Sequence, residues 1–392
     1  MKNFSYYTPT RVVFGKGTEL QTGELIKAQG AKKALIHYGG GSVKRTGLLE
    51  RICQSLDDAG VEYVLLGGVV PNPRMSKVYE GIELCRREGV DFLLPVGGGS
   101  VIDSAKAIGY GLCYDGDVWD FYAKKAVPKA CAPIGAVLTL SAAGSEMSDS
   151  SVLTNEDGWL KRGCNSDLCR CRFAVMNPEL TYTLPPYQTA CGATDILMHT
   201  MERYFTREPD TSLTDALAEG LMRTVIESAR TALRDPQNYD ARAQIMWAGS
   251  LSHNGLTGCG TVGDWASHQL EHELGGMFDV AHGAGLAAIW GSWARYVYKE
   301  DPARFAQFAV NVLGCKNDFA DPRRTALRGI EAMEDFYRSI GMPTNLRELG
   351  VEPTEEQFRE LAYKCSFQNT RTIGGFKVLN IDDIEAIYRM AK

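Results

Sequence analysis

The chain has 392 residues, 44% hydrophobic and 23% charged, long enough for two domains with their own cores. A net charge of −6 provides no electrostatic footprint for nucleic acid or an anionic membrane surface. No run approaches the roughly 20 apolar residues that span a bilayer, and Met1-Lys2-Asn3-Phe4-Ser5 leads into polar residues rather than a signal-peptide core, so a cytoplasmic protein is expected.

The N-terminal half alternates short apolar runs with glycine turns and helical patterns. Val12-Val13-Phe14 meets Gly15-Lys16-Gly17, and Ala34-Leu35-Ile36-His37-Tyr38 meets Gly39-Gly40-Gly41-Ser42. Tyr63-Val64-Leu65-Leu66 precedes Gly67-Gly68, and Phe92-Leu93-Leu94-Pro95-Val96 runs into Gly97-Gly98-Gly99-Ser100. Continuous rather than alternating hydrophobicity, repeated in strand–turn–helix units, predicts a parallel sheet buried on both faces. Glycines at a helix N-terminus let backbone N–H groups approach a diphosphate, so the 97–106 segment is a nucleotide-binding candidate. Between residues 25 and 49 there is no Asp or Glu, whereas Gly39 to Arg45 offers amides, a hydroxyl and two cations. An acidic residue there would hold an NAD ribose; its absence points to the 2′-phosphate of NADP(H).

Eleven cysteines are scattered with no Cys-x-x-Cys pair, as expected of reduced thiols. Cys169-Arg170-Cys171 is the closest spacing, and is read as small buried side chains rather than a metal site. Pro185-Pro186 then marks a change of texture. The expected domains are 1–184, α/β with glycine-rich nucleotide turns, and 185–392, all helical and metal-binding. Helical periodicity covers 189–205, 212–233, 241–256, 265–274, 325–340 and 355–363.

Four of the six histidines crowd into two short segments of this second half. Asp195 and His199 are four apart, hence one turn apart on one helix face, and His268 and His272 repeat that relation. His282 follows a Gly275-Gly276 break and belongs to a separate turn. Imidazoles and a carboxylate together suit Fe(II), Zn(II) or Mn(II). Spacing does not say which of His268 and His272 would bind. His37 and His253 lack such company and read as structural.

These motifs, with Tyr7-Thr8-Pro9-Thr10-Arg11, Pro71-Asn72-Pro73, Leu138-Thr139-Leu140, Gly144-Ser145-Glu146 and Tyr182-Thr183-Leu184-Pro185-Pro186, resemble the iron-containing (group III) alcohol dehydrogenases over essentially the whole chain, and within them the NADPH-dependent butanol dehydrogenase and aldehyde reductase branch. The resemblance implies the two-domain architecture that this family shares with dehydroquinate synthase, and a homodimer. It implies a divalent metal, Fe(II) first, on Asp195, His199, His268 and His282, with His272 in the cleft outside the ligand set. It also implies NADP(H) contacts from Gly97, Gly98, Gly99, Ser100, Asp103, Thr139, Leu140 and Lys161, a 2′-phosphate pocket at Gly40, Gly41 and Ser42, and Asn72 beside the adenosine. Hydride transfer between NADP(H) and a short- to medium-chain primary alcohol or aldehyde is the expected reaction, with His272 passing the proton as catalytic residue. A lyase of the dehydroquinate synthase kind would need basic residues for a phosphorylated acid; residues 264–285 contain no Arg or Lys. Glycerol dehydrogenase is a nearer relative among oxidoreductases.

Overall fold

The computed structural model describes all 392 residues, which divide into two compact units, Tyr7–Leu184 and Met1–Tyr6 with Pro185–Lys392. The first unit holds β1 (Arg11–Phe14), β2 (Lys33–Gly39), β3 (Glu62–Val69), β4 (Phe92–Gly97), β5 (Gly135–Leu138), β6 (Ser150–Asn155), β7 (Leu160–Asn165) and β8 (Phe173–Met176). Six of them form one parallel sheet in the order β1-β8-β5-β4-β2-β3, while β6 and β7 form an antiparallel hairpin. Every residue of β4 is buried, as its unbroken apolar run requires. Ile36, Leu94, Val96 and Val175 bury one face against Leu48, Ile52 and Leu56 of the Leu48–Ala59 helix. Leu35 and Leu93 are equally buried, and Leu93 meets the Gly99–Leu112 helix at Gly109 on the other face. The expected α/β unit is therefore present, with two further sheet strands and a hairpin beyond the runs read from sequence.

In the second unit, no strand of four or more residues occurs, and helices pack on one core in which Phe205 stacks on Phe305 at 4.3 Å among Trp290, Trp293 and Tyr337. Pro186 lies in the first turn of its first long helix, Pro186–Tyr204, where a missing N–H costs nothing. Two sequence expectations change. Residues Met1–Tyr6 pack with the helical unit rather than the α/β unit: the N-terminal ammonium donates to Pro209 O at 2.6 Å, Lys2 N to Gly260 O at 3.0 Å, and Lys2 pairs with Glu208 at 2.9 Å. Gly275-Gly276 also does not break its helix, which runs Ala266–Phe278 and ends at Asp279 in the left-handed region, φ 52°. Both glycines are buried, so close packing replaces what they lack in helix propensity. No helix is long and apolar enough to cross a membrane.

Candidate functional site

The glycine turns follow the carboxyl ends of the neighbouring strands β2 and β4, with Thr139-Leu140 after β5 and Asn72 after β3, the edge at which open parallel sheets bind ligands. Gly98 is extended (φ −92°, ψ −168°) and caps the Gly99–Leu112 helix without a side-chain cap, leaving backbone N–H groups at its start. A Cβ would fall 2.5 Å from Val101 Cγ2 at Gly97, 3.0 Å from Leu140 Cβ at Gly98 and 2.9 Å from Ala143 Cβ at Gly99. A side chain at Gly97 or Gly99 would therefore force its neighbours to shift, and one at Gly98 would press on Leu140.

Asp103 is turned to the scaffold: its Oδ1 accepts from Ser145 Oγ at 2.5 Å and its Oδ2 from Val152 N at 2.9 Å. Beside it the buried Lys106 donates to Ser148 O (2.9 Å) and Ser150 O (2.8 Å). Together they fasten the 145–152 segment to this helix, a role that sequence reading missed although Asp103 and Lys106 stand three apart. Lys161 on β7 is buried. In the other turn, Gly41 has φ 132° and precedes the single helical turn Ser42–Arg45, and Lys44 Nζ lies 5.3 Å over the Tyr38 ring. Asn72 is buried with φ 52°.

In the helical unit, Asp195 and His199 lie one turn apart on Pro186–Tyr204, His268 and His272 on Ala266–Phe278, and His282 opens His282–Val297. Ligand atoms of Asp195, His268 and His282 all fall within 4.8 Å of one another, a group that could hold a metal ion. Around Asp195 Oδ1 stand His199 Nδ1 at 3.2 Å, His268 Nε2 at 3.6 Å and His282 Nε2 at 3.7 Å. Donors about 2.1 Å from a tetrahedral ion are roughly 3.4 Å apart, so the spacing fits one ion. Asp195 Oδ1, His199 Nδ1 and His268 Nε2 are buried without a hydrogen-bond partner, a cost that a bound cation would remove. His199 stands outside the close group of three: its ring stacks on His268 at 4.5 Å between centroids and reaches Asp195 through Nδ1. His272 lies beside the group, its ring 6.1 Å from that of His282.

Three features escaped the sequence reading. His253 is not isolated; its ring meets His199 edge-on at 4.0 Å because the Tyr239–His253 helix ends there. Glu202 Oε1 accepts from His268 N at 2.9 Å and lies 3.1 Å from His268 Nδ1, and Glu271 contacts His282 Nδ1. Each glutamate stands three residues after a site histidine, His199 or His268, which is the one signal the sequence offers. Burial lowers the His268 pKa, but the neighbouring Asp195 and Glu202 carboxylates outweigh it and carry the group to about 9. Burial and the neighbouring His253, His268 and Arg203 push His199 far down. Burial, then the Glu202 charge, lifts Asp264 to about 7 while it accepts from Phe376 N at 2.8 Å and Gly375 N at 3.0 Å.

Eleven free cysteines agree with the expected reduced thiols, and burial pushes Cys171 up to about 12, where it is inert. His37 is structural: Nδ1 faces Leu66 O at 3.0 Å and Nε2 faces Ser104 Oγ at 2.9 Å, joining two strands to a helix.

Residues 9–178 match the iron-containing alcohol dehydrogenase family and residues 189–392 the C-terminal part of the Fe-containing alcohol dehydrogenase family. A probable NADH-dependent butanol dehydrogenase of Bacillus subtilis is 40% identical over 389 residues, covering 99% of both chains. The NADPH-dependent aldehyde reductase YqhD of Escherichia coli is 35% identical over 395 residues, covering all of both. The crystal structure of an NADH-dependent butanol dehydrogenase A from Thermotoga maritima superposes with a TM-score of 0.96 at 36% identity, covering 100% of this chain and 99% of that one.

Proposed function

Since the chain belongs to the iron-containing alcohol dehydrogenase family and is an alcohol or aldehyde oxidoreductase, we propose that it exchanges hydride between NADP(H) and a short- to medium-chain primary alcohol or aldehyde, working chiefly as an aldehyde reductase. The observation that carries this is the trio of buried, unpartnered atoms Asp195 Oδ1, His199 Nδ1 and His268 Nε2, with His282 Nε2 3.7 Å from the same carboxylate oxygen. Asp195, His268 and His282, with His199 Nδ1 3.2 Å from Asp195 Oδ1 as the fourth donor that the resemblance implies, would hold one divalent ion, Fe(II) before Zn(II) or Mn(II). Bound there, the metal supplies Lewis acidity at the substrate oxygen, and the nicotinamide supplies the hydride.

The chain's own work is to hold and to protonate. The Gly97-Gly98-Gly99-Ser100 turn offers backbone N–H groups to the diphosphate, and Thr139, Leu140 and Lys161 would be further cofactor contacts, as the family resemblance implies. Asp103 serves by fixing the 145–152 segment through Ser145 and Val152, and is read as a ribose contact only from the family resemblance. Gly40, Gly41 and Ser42 would receive the 2′-phosphate and Asn72 the adenosine side. Relatives named for NADH and for NADPH both occur, so the cofactor reading rests on the absence of an acid between residues 25 and 49. His272, one turn beyond His268, would pass the proton between substrate oxygen and water.

Oxidation of NADPH by metal-loaded protein, measured anaerobically with butanal and with NADH in parallel, tests the reading. Turnover that favours NADPH and vanishes on chelation supports it. A preference for NADH overturns the cofactor half, and no turnover with either overturns the substrate class.

A further inference from the structure

The two imidazoles that face Asp195 each turn their other nitrogen to a buried carboxylate. His268 Nδ1 faces Glu202 Oε1 at 3.1 Å, and the same oxygen accepts from the His268 backbone N–H at 2.9 Å. His282 Nδ1 faces Glu271 Oε2. Glu202 is 2% exposed and Glu271 fully buried, so neither is a solvated surface charge that found a histidine by chance. An ionised carboxylate can only accept, so each Nδ1 carries the proton. In the neutral ring that leaves a lone pair on each Nε2, and both Nε2 atoms point at Asp195 Oδ1, at 3.6 and 3.7 Å, itself an acceptor. Bound as neutral rings, His268 and His282 would turn these lone pairs to a metal ion held beside Asp195.

The connectivity carries the arrangement further. The Pro186–Tyr204 helix supplies Asp195 and His199 and also Glu202, which holds the ligand on the next helix. That next helix, Ala266–Phe278, supplies His268 and also Glu271, which holds the ligand that opens the third, His282–Val297. Room for this contact is kept by Gly285, where a Cβ would lie 2.9 Å from Glu271 Cγ and 3.2 Å from its Oε1.

We propose that Glu202 and Glu271 are positioning residues that fix the tautomer and the aim of His268 and His282, each helix orienting the metal ligand carried by the one that follows. Carboxylates in this role typically hold 10- to 100-fold of metal affinity. The inference rests on the metal reading above, and the test separates the two.

Metal-free protein is titrated with Co(II), read by its d–d absorption and by equilibrium dialysis, for wild type, E202Q, E271Q, E202D and E271D. E334Q is the control, because it breaks a partly buried Arg295 pair outside the site. Glutamine removes the charge; aspartate keeps it but draws the oxygens back by one carbon. Expected is a 10- to 100-fold rise in Kd for both glutamine variants and a rise of at least fivefold for both aspartate variants. E334Q should bind as wild type does while its thermal midpoint falls. Wild-type-like binding by all four site variants overturns the proposal. Aspartate variants that bind like wild type beside weakened glutamine variants also overturn it, since charge alone would then suffice. Failure of wild type to bind Co(II) overturns the metal reading itself.

Discussion

Gly40 is the residue at which the cofactor reading can be reversed by one atom group. A Cβ there meets nothing within 4 Å and the backbone is not left-handed, whereas Gly41 has φ 132° and would be strained by any side chain. Gly40→Asp should therefore fold normally and repel a 2′-phosphate. The expected outcome is at least a tenfold shift of kcat/KM from NADPH towards NADH, and an unchanged ratio would show that this turn does not read the ribose. His272→Asn should lower kcat roughly 100-fold and flatten its pH profile if the imidazole moves a proton; full turnover with the same profile would assign it to orientation. His37 gives a prediction about stability. Burial lowers its pKa to about 4, below the ordinary 6.5, so the unfolded chain takes up a proton that the native state refuses. Stability is then intact above pH 6.5 and declines as pH falls towards 4, by about 3 kcal/mol for this group. In thermal melts of the metal-free protein between pH 7 and 4.5, His37→Asn should start lower and lose less than wild type; parallel losses would remove His37 from the account.

At the scale of elements, the site depends on how closely helices approach. A Cβ on Gly283 would lie 2.2 Å from the backbone oxygen of Cys191, one turn before Asp195 on the Pro186–Tyr204 helix. Gly283→Ala must therefore push back the start of the helix that His282 opens. Overpacking of this kind costs about 1–3 kcal/mol, and Co(II) affinity should fall more than tenfold because His282 moves with it. Affinity like wild type's would mean that the helix start yields without carrying its ligand. The elements themselves were legible to different degrees. Asp195, His199, His268 and His282 stood out because histidine is scarce and helical spacing aligns two pairs. Glu202 and Glu271 did not, because glutamate is common and their partners lie on other helices. The Ser150–Asn155 and Leu160–Asn165 hairpin had a signal in Asp157-Gly158, and Gly158 is left-handed at φ 78°. Strand Phe173–Met176 offered only four apolar residues, too few for periodicity to separate from a helix.

At the scale of the whole molecule, chemistry is divided between two folding units. Metal donors and their carboxylate partners all come from Pro186–Tyr204, Ala266–Phe278 and His282–Val297, and both candidate nucleotide turns, 39–45 and 97–100, lie in Tyr7–Leu184. The textural change at Pro185-Pro186 was visible because a parallel sheet needs unbroken apolar runs and helices need spaced ones. The return of Met1–Tyr6 to the helical unit was not, since single contacts such as Lys2 with Gly260 and Glu208 leave no periodic trace. A ligand stabilises what it binds by about 2.7 kcal/mol at a hundredfold excess over Kd. Without it, mutual repulsion among Asp195, Glu202 and Glu271 opposes only the helices that hold them. Chelation should accordingly speed amide hydrogen exchange in those three helices and leave β2, β4 and β5 unchanged. NADPH added to metal-free protein should do the reverse, protecting Gly97–Ile102 and the 39–45 turn alone. Exchange that changes across both units on chelation would show that the ion couples them, and would move the origin of the effect from the helical core to the molecule as a whole.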